Sequence, residues 1–121
     1  MKILIVEDEL PLLEILSDKF LEANFEVFRA EDGEAGLEEA LKNHPDMILL
    51  DILLPKMDGL EMLGKLRDDD WGKNAQVILL TNLSDSEKVA KATKLGTYDY
   101  LVKSDWKLDD VVKKMNEKLG R

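Results

Sequence analysis

Short apolar runs alternate with longer amphipathic stretches along this chain, and the period of each predicts its structure. Met47-Ile48-Leu49-Leu50 and Val77-Ile78-Leu79-Leu80 are apolar at every position, which suits short strands covered on both faces. With Ile3-Leu4-Ile5-Val6 near the start, the pattern predicts strands over 2–6, 25–29, 46–50, 76–80 and 98–102. Phe25-Glu26-Val27-Phe28-Arg29 mixes charge with apolar residues, as an edge strand does.

Between the strands the period changes to that of a helix. In 10–22, Leu13, Leu16 and Phe20 share a face, and Pro11 suits a first turn. In 33–43, Ala40 and Leu41 fall one turn beyond Gly36 and Leu37, and 58–67 carries Leu60, Leu63 and Leu66 at helical spacing. Helix 84–95 opens with Ser84-Asp85-Ser86-Glu87, a capping box, and stops at Gly96. Helix 107–119 places Leu108, Val111, Met115 and Leu119 on one stripe. Asp68-Asp69-Asp70 breaks the chain into a loop before the fourth strand.

Five strand–helix units in sequence imply a parallel sheet with right-handed crossovers and helices on both faces. The expected fold is a doubly wound, flavodoxin-like α/β domain with five helices and strand order 2-1-3-4-5, whose switch point lies between strands one and three. No Pro-, Gly- or Ser-rich linker interrupts residues 1–121, so one domain is expected.

Composition narrows the function. A net charge of −9 disfavours direct nucleic-acid binding, which needs clustered Lys and Arg. No apolar run is long enough to cross a bilayer, and Met1-Lys2 leads straight into a strand, leaving no room for a signal peptide. The absence of cysteine removes disulfide and thiolate chemistry. A cytoplasmic location is expected.

The candidate chemistry lies at the strand ends. The first apolar run ends in Glu7-Asp8-Glu9, the third in Asp51, the fourth in Thr81 and the fifth, less directly, in Lys103. In a parallel sheet these ends share one edge, where ligands bind. Carboxylates gathered there repel one another unless a cation joins them, and Mg²⁺ suits an all-oxygen donor set. Asp51 would then be a credible nucleophile towards phosphorus, with Thr81, backbone N–H groups and Lys103 to stabilise the transferred charge.

These residues, in this order, resemble the response-regulator receiver domains of two-component systems, with chemotaxis-regulator-like proportions. The family's acidic pair matches Glu7-Asp8, its phosphoacceptor matches Asp51, and the proline and glycine of the following turn match Pro55 and Gly59. Its Thr/Ser matches Thr81, its lysine Lys103, and its aromatic switch Tyr100. The resemblance covers essentially the whole chain. It implies a Mg²⁺ site made by Asp8 and Asp51, with Glu7 helping and the Leu53 backbone carbonyl as a further ligand. It also implies phosphorylation of Asp51 by a histidine kinase or histidine phosphotransfer protein. Thr81 would move towards the phosphoryl group and Tyr100 would rotate inward, altering the face formed by helix 84–95, strand 98–102 and helix 107–119. A downstream protein partner would read that face, and a phosphorylation-linked homodimer through it is the family's habit. Such a domain catalyses its own phosphorylation and dephosphorylation and is not a conventional enzyme.

Two positions depart from the family pattern. Ser104 follows Lys103 where proline is usual, so a trans peptide is expected, because a cis bond to a non-proline residue costs roughly 2.5–4 kcal/mol. Asn82 follows Thr81 where a small residue is usual, and is expected to narrow access for the phosphodonor and for water.

Plainer readings stand beside these. Asp8 or Glu9 could cap helix 10–22, Asp51 could start a turn, and Thr81, Lys103 and Tyr100 could be structural. His44, before Pro45, is read as solvent-exposed, and Trp71 and Trp106 as packing residues. Lys88, Lys91 and Lys94, with Lys113, Lys114 and Lys118, tint the last helices basic and could help select an acidic partner. Three rivals compete for the function. A haloacid-dehalogenase-like phosphatase would want a second aspartate where Leu53 stands. A flavodoxin-type flavin carrier would not place Glu7-Asp8-Glu9 against a phosphate. A pseudo-receiver would bind partners without being phosphorylated. The chain stops just after its last helix, and stand-alone signalling is the expectation.

Overall fold

The residues Ile3, Ile5, Leu49, Ile78 and Leu80 face one side of a central sheet, while Leu4, Val6, Ile48, Leu50 and Leu79 face the other. This alternation follows from the two-residue period of a strand, and it explains why the central strands are apolar throughout. In the computed structural model, which describes residues 1–81, 86–97, 99–103 and 107–120, five strands form one parallel sheet. They are β1 (Lys2–Val6), β2 (Glu26–Ala30), β3 (Met47–Asp51), β4 (Val77–Thr81) and β5 (Asp99–Val102), in the order β2-β1-β3-β4-β5. The predicted order and class are thus observed.

The helices are α1 (Leu10–Glu22), α2 (Gly33–Asn43), α3 (Gly59–Arg67), α4 (Ser86–Lys94) and α5 (Leu108–Leu119). Leu13, Leu16 and Phe20 of α1 join Val111 and Met115 of α5 over one face. Ala40 of α2, Met62, Leu63 and Leu66 of α3, and Ala92 of α4 cover the other. Leu41, by contrast, is largely at the surface.

Boundaries moved where side chains or turns overrode the apolar pattern. The second strand begins at Glu26, paired with Lys2, and not at Phe25. Asn24 takes a left-handed conformation (φ 68°), the Phe25 N–H bonds the Phe20 carbonyl, and the Phe25 ring turns edge-on to Phe20 at 5.3 Å. Phe25 is therefore a core plug at a turn. The third and fourth strands each run one residue further than predicted, taking in Asp51 and Thr81. After α3, Asp68-Asp69-Asp70 leads into a short 3-10 turn over Gly72–Asn74, with the Asp69 carboxylate accepting from the Gly72 N–H at 2.8 Å.

Arg67 ties this region together. Its guanidinium donates to the carbonyls of Leu95 (2.7 Å), Gly72 (2.7 Å) and Ala75 (2.8 Å) and to the Thr97 hydroxyl (3.1 Å). Gly96, at φ 78°, ends α4 as predicted. His44 is exposed, as expected, and its ring stacks on Trp71 at 4.3 Å. Ser84 and Asp85 of the expected capping box, Asn82, the peptide between Lys103 and Ser104, Trp106 and the Leu108 side chain lie outside the described residues.

Candidate functional site

Parallel pairing brings the ends of β1, β3, β4 and β5 to one edge. Val6 pairs with Leu50, Asp51 with Leu80, and Thr81 with Val102, so the residues that follow or end these strands cluster. Two main-chain bonds extend the order past the strands: the Glu7 N–H donates to the Ala30 carbonyl at 3.0 Å, and the Lys103 N–H to the Thr81 carbonyl at 2.7 Å. Glu7, Asp8, Asp51, Thr81 and Lys103 all sit at this edge.

Lys103 is the hub. Its ammonium lies 2.7 Å from Asp51 Oδ2, 3.1 Å from Glu7 Oε1 and 3.3 Å from Glu9 Oε1. Burial works against the charged ammonium, yet hydrogen bonds and charge from Asp51 and Glu7 outweigh it and raise its pKa above the ordinary lysine value. Asp51 is held from its other side, where the Leu53 N–H donates to Oδ1 at 3.1 Å. That bond closes a tight turn, and the Leu53 side chain projects outward.

Glu7 is buried completely, and its Oε2 has no hydrogen-bond partner among the described residues. Burial, reinforced by the neighbouring Asp51, pushes its pKa up to about 8, although Lys103 pulls the other way. A buried carboxylate oxygen left without a donor is costly and calls for a proton or a cation. Glu7, Asp8 and Asp51 can each bring one carboxylate oxygen within 4.8 Å of the others. The donor set is all oxygen, with one exposed member, Asp8, and two buried ones. That chemistry fits Mg²⁺, a hard cation that binds a few carboxylates and keeps several waters.

Thr81 is buried at the end of β4, one residue beyond the partner of Asp51. Tyr100 sits on β5 opposite Leu79, with its side chain about half exposed. Glu9 occupies the position before α1, but its carboxylate makes no capping bond; the plainer reading of it as a helix cap fails. Its contact with Lys103 was not foreseen, because a run of acids does not say which will face a lysine 94 residues away. A groove of about 600 Å³ between α1 and α5, lined by Lys19, Asp109 and Asn116, shares no residue with this cluster.

The turn after Asp51 is shaped by close packing. A Cβ on Gly59 would stand 2.3 Å from the Asp51 carbonyl oxygen, and one on Gly33 would stand 1.9 Å from that of Met57. Asp58 caps α3 by accepting from the Glu61 N–H at 2.9 Å. Lys56 takes a left-handed conformation (φ 64°) and approaches Asp32, the cap of α2, at 3.7 Å.

Residues 3–116 match the family model described as Response regulator receiver domain. The chain is 38% identical over 102 residues to response regulator ArlR of Staphylococcus saprophyticus, a match covering 84% of this chain and 45% of ArlR. It thus spans less than half the length of the first curated relatives it matches. Among solved structures, the Francisella response regulator 1452 receiver domain superposes with a TM-score of 0.87 at 29% identity, over 99% of this chain and 97% of that one. The receiver domain of the sensor histidine kinase PA1611 of Pseudomonas aeruginosa superposes with a TM-score of 0.88 at 25% identity, over 99% and 98% of the two chains. That structure has a magnesium ion coordinated in its active-site cleft.

Proposed function

This chain belongs to the response regulator receiver domain family, and on that premise we propose that Asp51 is the residue phosphorylated and Lys103 the cation that serves it. The observation that carries this reading is the Lys103 ammonium held 2.7 Å from Asp51 Oδ2 beside the Glu7–Asp8 pair. An Asp51 carboxylate oxygen bonds to phosphorus while the donor's bond to phosphorus breaks, and the leaving group departs with that electron pair. The donor is a phosphohistidine on a histidine kinase or a histidine phosphotransfer protein. The domain promotes this transfer, and the later hydrolysis, on itself and turns over no separate metabolite.

Glu7, Asp8 and Asp51, with the Leu53 carbonyl, would hold Mg²⁺. When bound, the ion offsets the charge that three carboxylates and a phosphoryl group bring together. Lys103 stabilises a phosphoryl oxygen by charge, and the Leu53 N–H keeps one Asp51 oxygen oriented. Thr81 supplies a hydroxyl at the same edge. Tyr100, half exposed in this structure, turns inward when Thr81 moves, and the α4–β5–α5 face changes with it. A protein partner, which includes a second copy of this chain, reads that face. Lys88 and Lys91, both exposed or half exposed on α4, favour an acidic surface. The acidic domain is not expected to bind nucleic acid itself. Among the described residues no helix is long and apolar enough to cross a membrane, in keeping with work in the cytoplasm.

The test is intact mass after incubation with Mg²⁺ and acetyl phosphate. A single phosphoryl adduct that needs Mg²⁺ and is lost in Asp51→Asn is the expected result. An adduct that persists in Asp51→Asn would remove Asp51 from the role.

A further inference from the structure

The position before a helix ordinarily offers a side-chain oxygen to a first-turn N–H. Glu9 stands there and makes no such bond; its Oε1 reaches Lys103 Nζ at 3.3 Å instead. An ammonium has three N–H donors, and among the described residues three carboxyl groups surround it, Asp51 at 2.7 Å, Glu7 at 3.1 Å and Glu9 at 3.3 Å. A phosphoryl oxygen arriving at Asp51 can therefore bond the ammonium only by displacing one of them.

The three are not equally easy to displace. Glu7 and Asp51 are buried, and a buried carboxyl group that loses its hydrogen-bond partner is left unsatisfied away from water, which is costly. Glu9 has the longest contact, and 63% of its side chain is exposed, so water replaces Lys103 at little cost. The geometry points to Glu9 as a positioning residue, a releasable third carboxylate that occupies one Lys103 donor at rest and slows phosphorylation of Asp51 until it lets go. Glu9 forms and breaks no covalent bond. It acts only through Lys103, and its role rests on the reading of Asp51 and Lys103 given above.

The experiment follows phosphorylation by acetyl phosphate at saturating Mg²⁺ in the full chain, where the Asp51–phosphorus bond forms and acetate leaves. Glu9→Gln keeps the size and removes the charge. Glu9→Asp keeps the charge on a side chain one methylene shorter, out of reach of Lys103. Both are expected to be phosphorylated about two- to fivefold faster than wild type, the range set by an exposed ion pair. Asp18→Asn, an equal charge change on the exposed face of α1, is expected to match wild type. A cap lost for structural reasons would not raise the rate. Wild-type rates in Glu9→Gln would overturn the inference alone. So would a fast Glu9→Gln beside a wild-type Glu9→Asp, which would trace the effect to charge at a distance. A wild-type chain that takes no phosphate at Asp51 would overturn the functional reading and this inference together.

Discussion

Gly59 sits against the main chain of Asp51, so close that a Cβ would lie 2.3 Å from the Asp51 carbonyl oxygen and 2.8 Å from the Ile52 Cα. Its N–H donates to the Ile52 carbonyl at 2.7 Å. The start of α3 is thereby pinned beneath the proposed phosphoacceptor. Gly59 lies at a φ that other residues adopt, so its importance is contact and not conformational freedom.

Gly59→Ala should therefore lower stability although alanine is the better helix former. Propensity favours alanine by about 1 kcal/mol, but forcing a methyl into main-chain atoms costs typically 1–3 kcal/mol. Urea denaturation should show a net loss of up to about 2 kcal/mol. Phosphorylation should slow as Asp51 is displaced. An unchanged midpoint would mean that the loop moves aside freely.

Glu7 makes stability depend on pH. Its folded-state pKa, about 8, lies above its ordinary value of 4.5, so the folded state binds the proton more tightly than the unfolded one. This contribution is fully present below about pH 4.5 and is lost as pH rises through about 8. Without Mg²⁺, the denaturation midpoint of wild type should fall across that window relative to Glu7→Gln, which cannot ionise. Parallel pH profiles for the two proteins would refute the assignment.

Addition of Mg²⁺ should reverse that loss. A ligand at 100 times its Kd stabilises the folded state by about 2.7 kcal/mol, so the thermal midpoint should rise with Mg²⁺ and return on chelation. Asp8→Asn should blunt the rise. Near pH 7 binding should release on the order of one proton, as Glu7 exchanges its proton for the ion. Calorimetry in buffers of different ionisation enthalpy would count it.

Arg67 offers a contrast remote from the chemistry. Its bonds to Leu95, Gly72, Ala75 and Thr97 join the ends of α3 and α4. Arg67→Met should cost about 2–4 kcal/mol, given that a hydrogen bond from a charged donor contributes roughly 1.5–3. The Asp51 adduct should still form below the melting temperature. Loss of the adduct in a folded Arg67→Met protein would show that this clasp governs the site.

Much of this was legible in the chain itself. Continuous apolar runs as short as those of β3 and β4, alternating with longer amphipathic stretches, suit strands covered on both faces, which leads to a parallel sheet with helices on both sides. A parallel sheet in turn places Glu7, Asp8, Asp51, Thr81 and Lys103 at one edge. Errors fell at element ends. Phe25 reads as strand by type, yet the turn at Asn24 and the ring of Phe20 draw it into the core.

The linear order of residues thus determined the α/β class and the strand ends that carry Glu7, Asp8, Asp51, Thr81 and Lys103, because apolar period and strand ends are local properties of sequence. Only the tertiary structure decided that Lys103 meets Asp51, Glu7 and Glu9 together, that Glu7 is sealed with one oxygen unpaired among the described residues, and that Gly59 has no room for a methyl group. Those facts depend on distances between segments up to 96 residues apart. Such distances are set by how the layers pack.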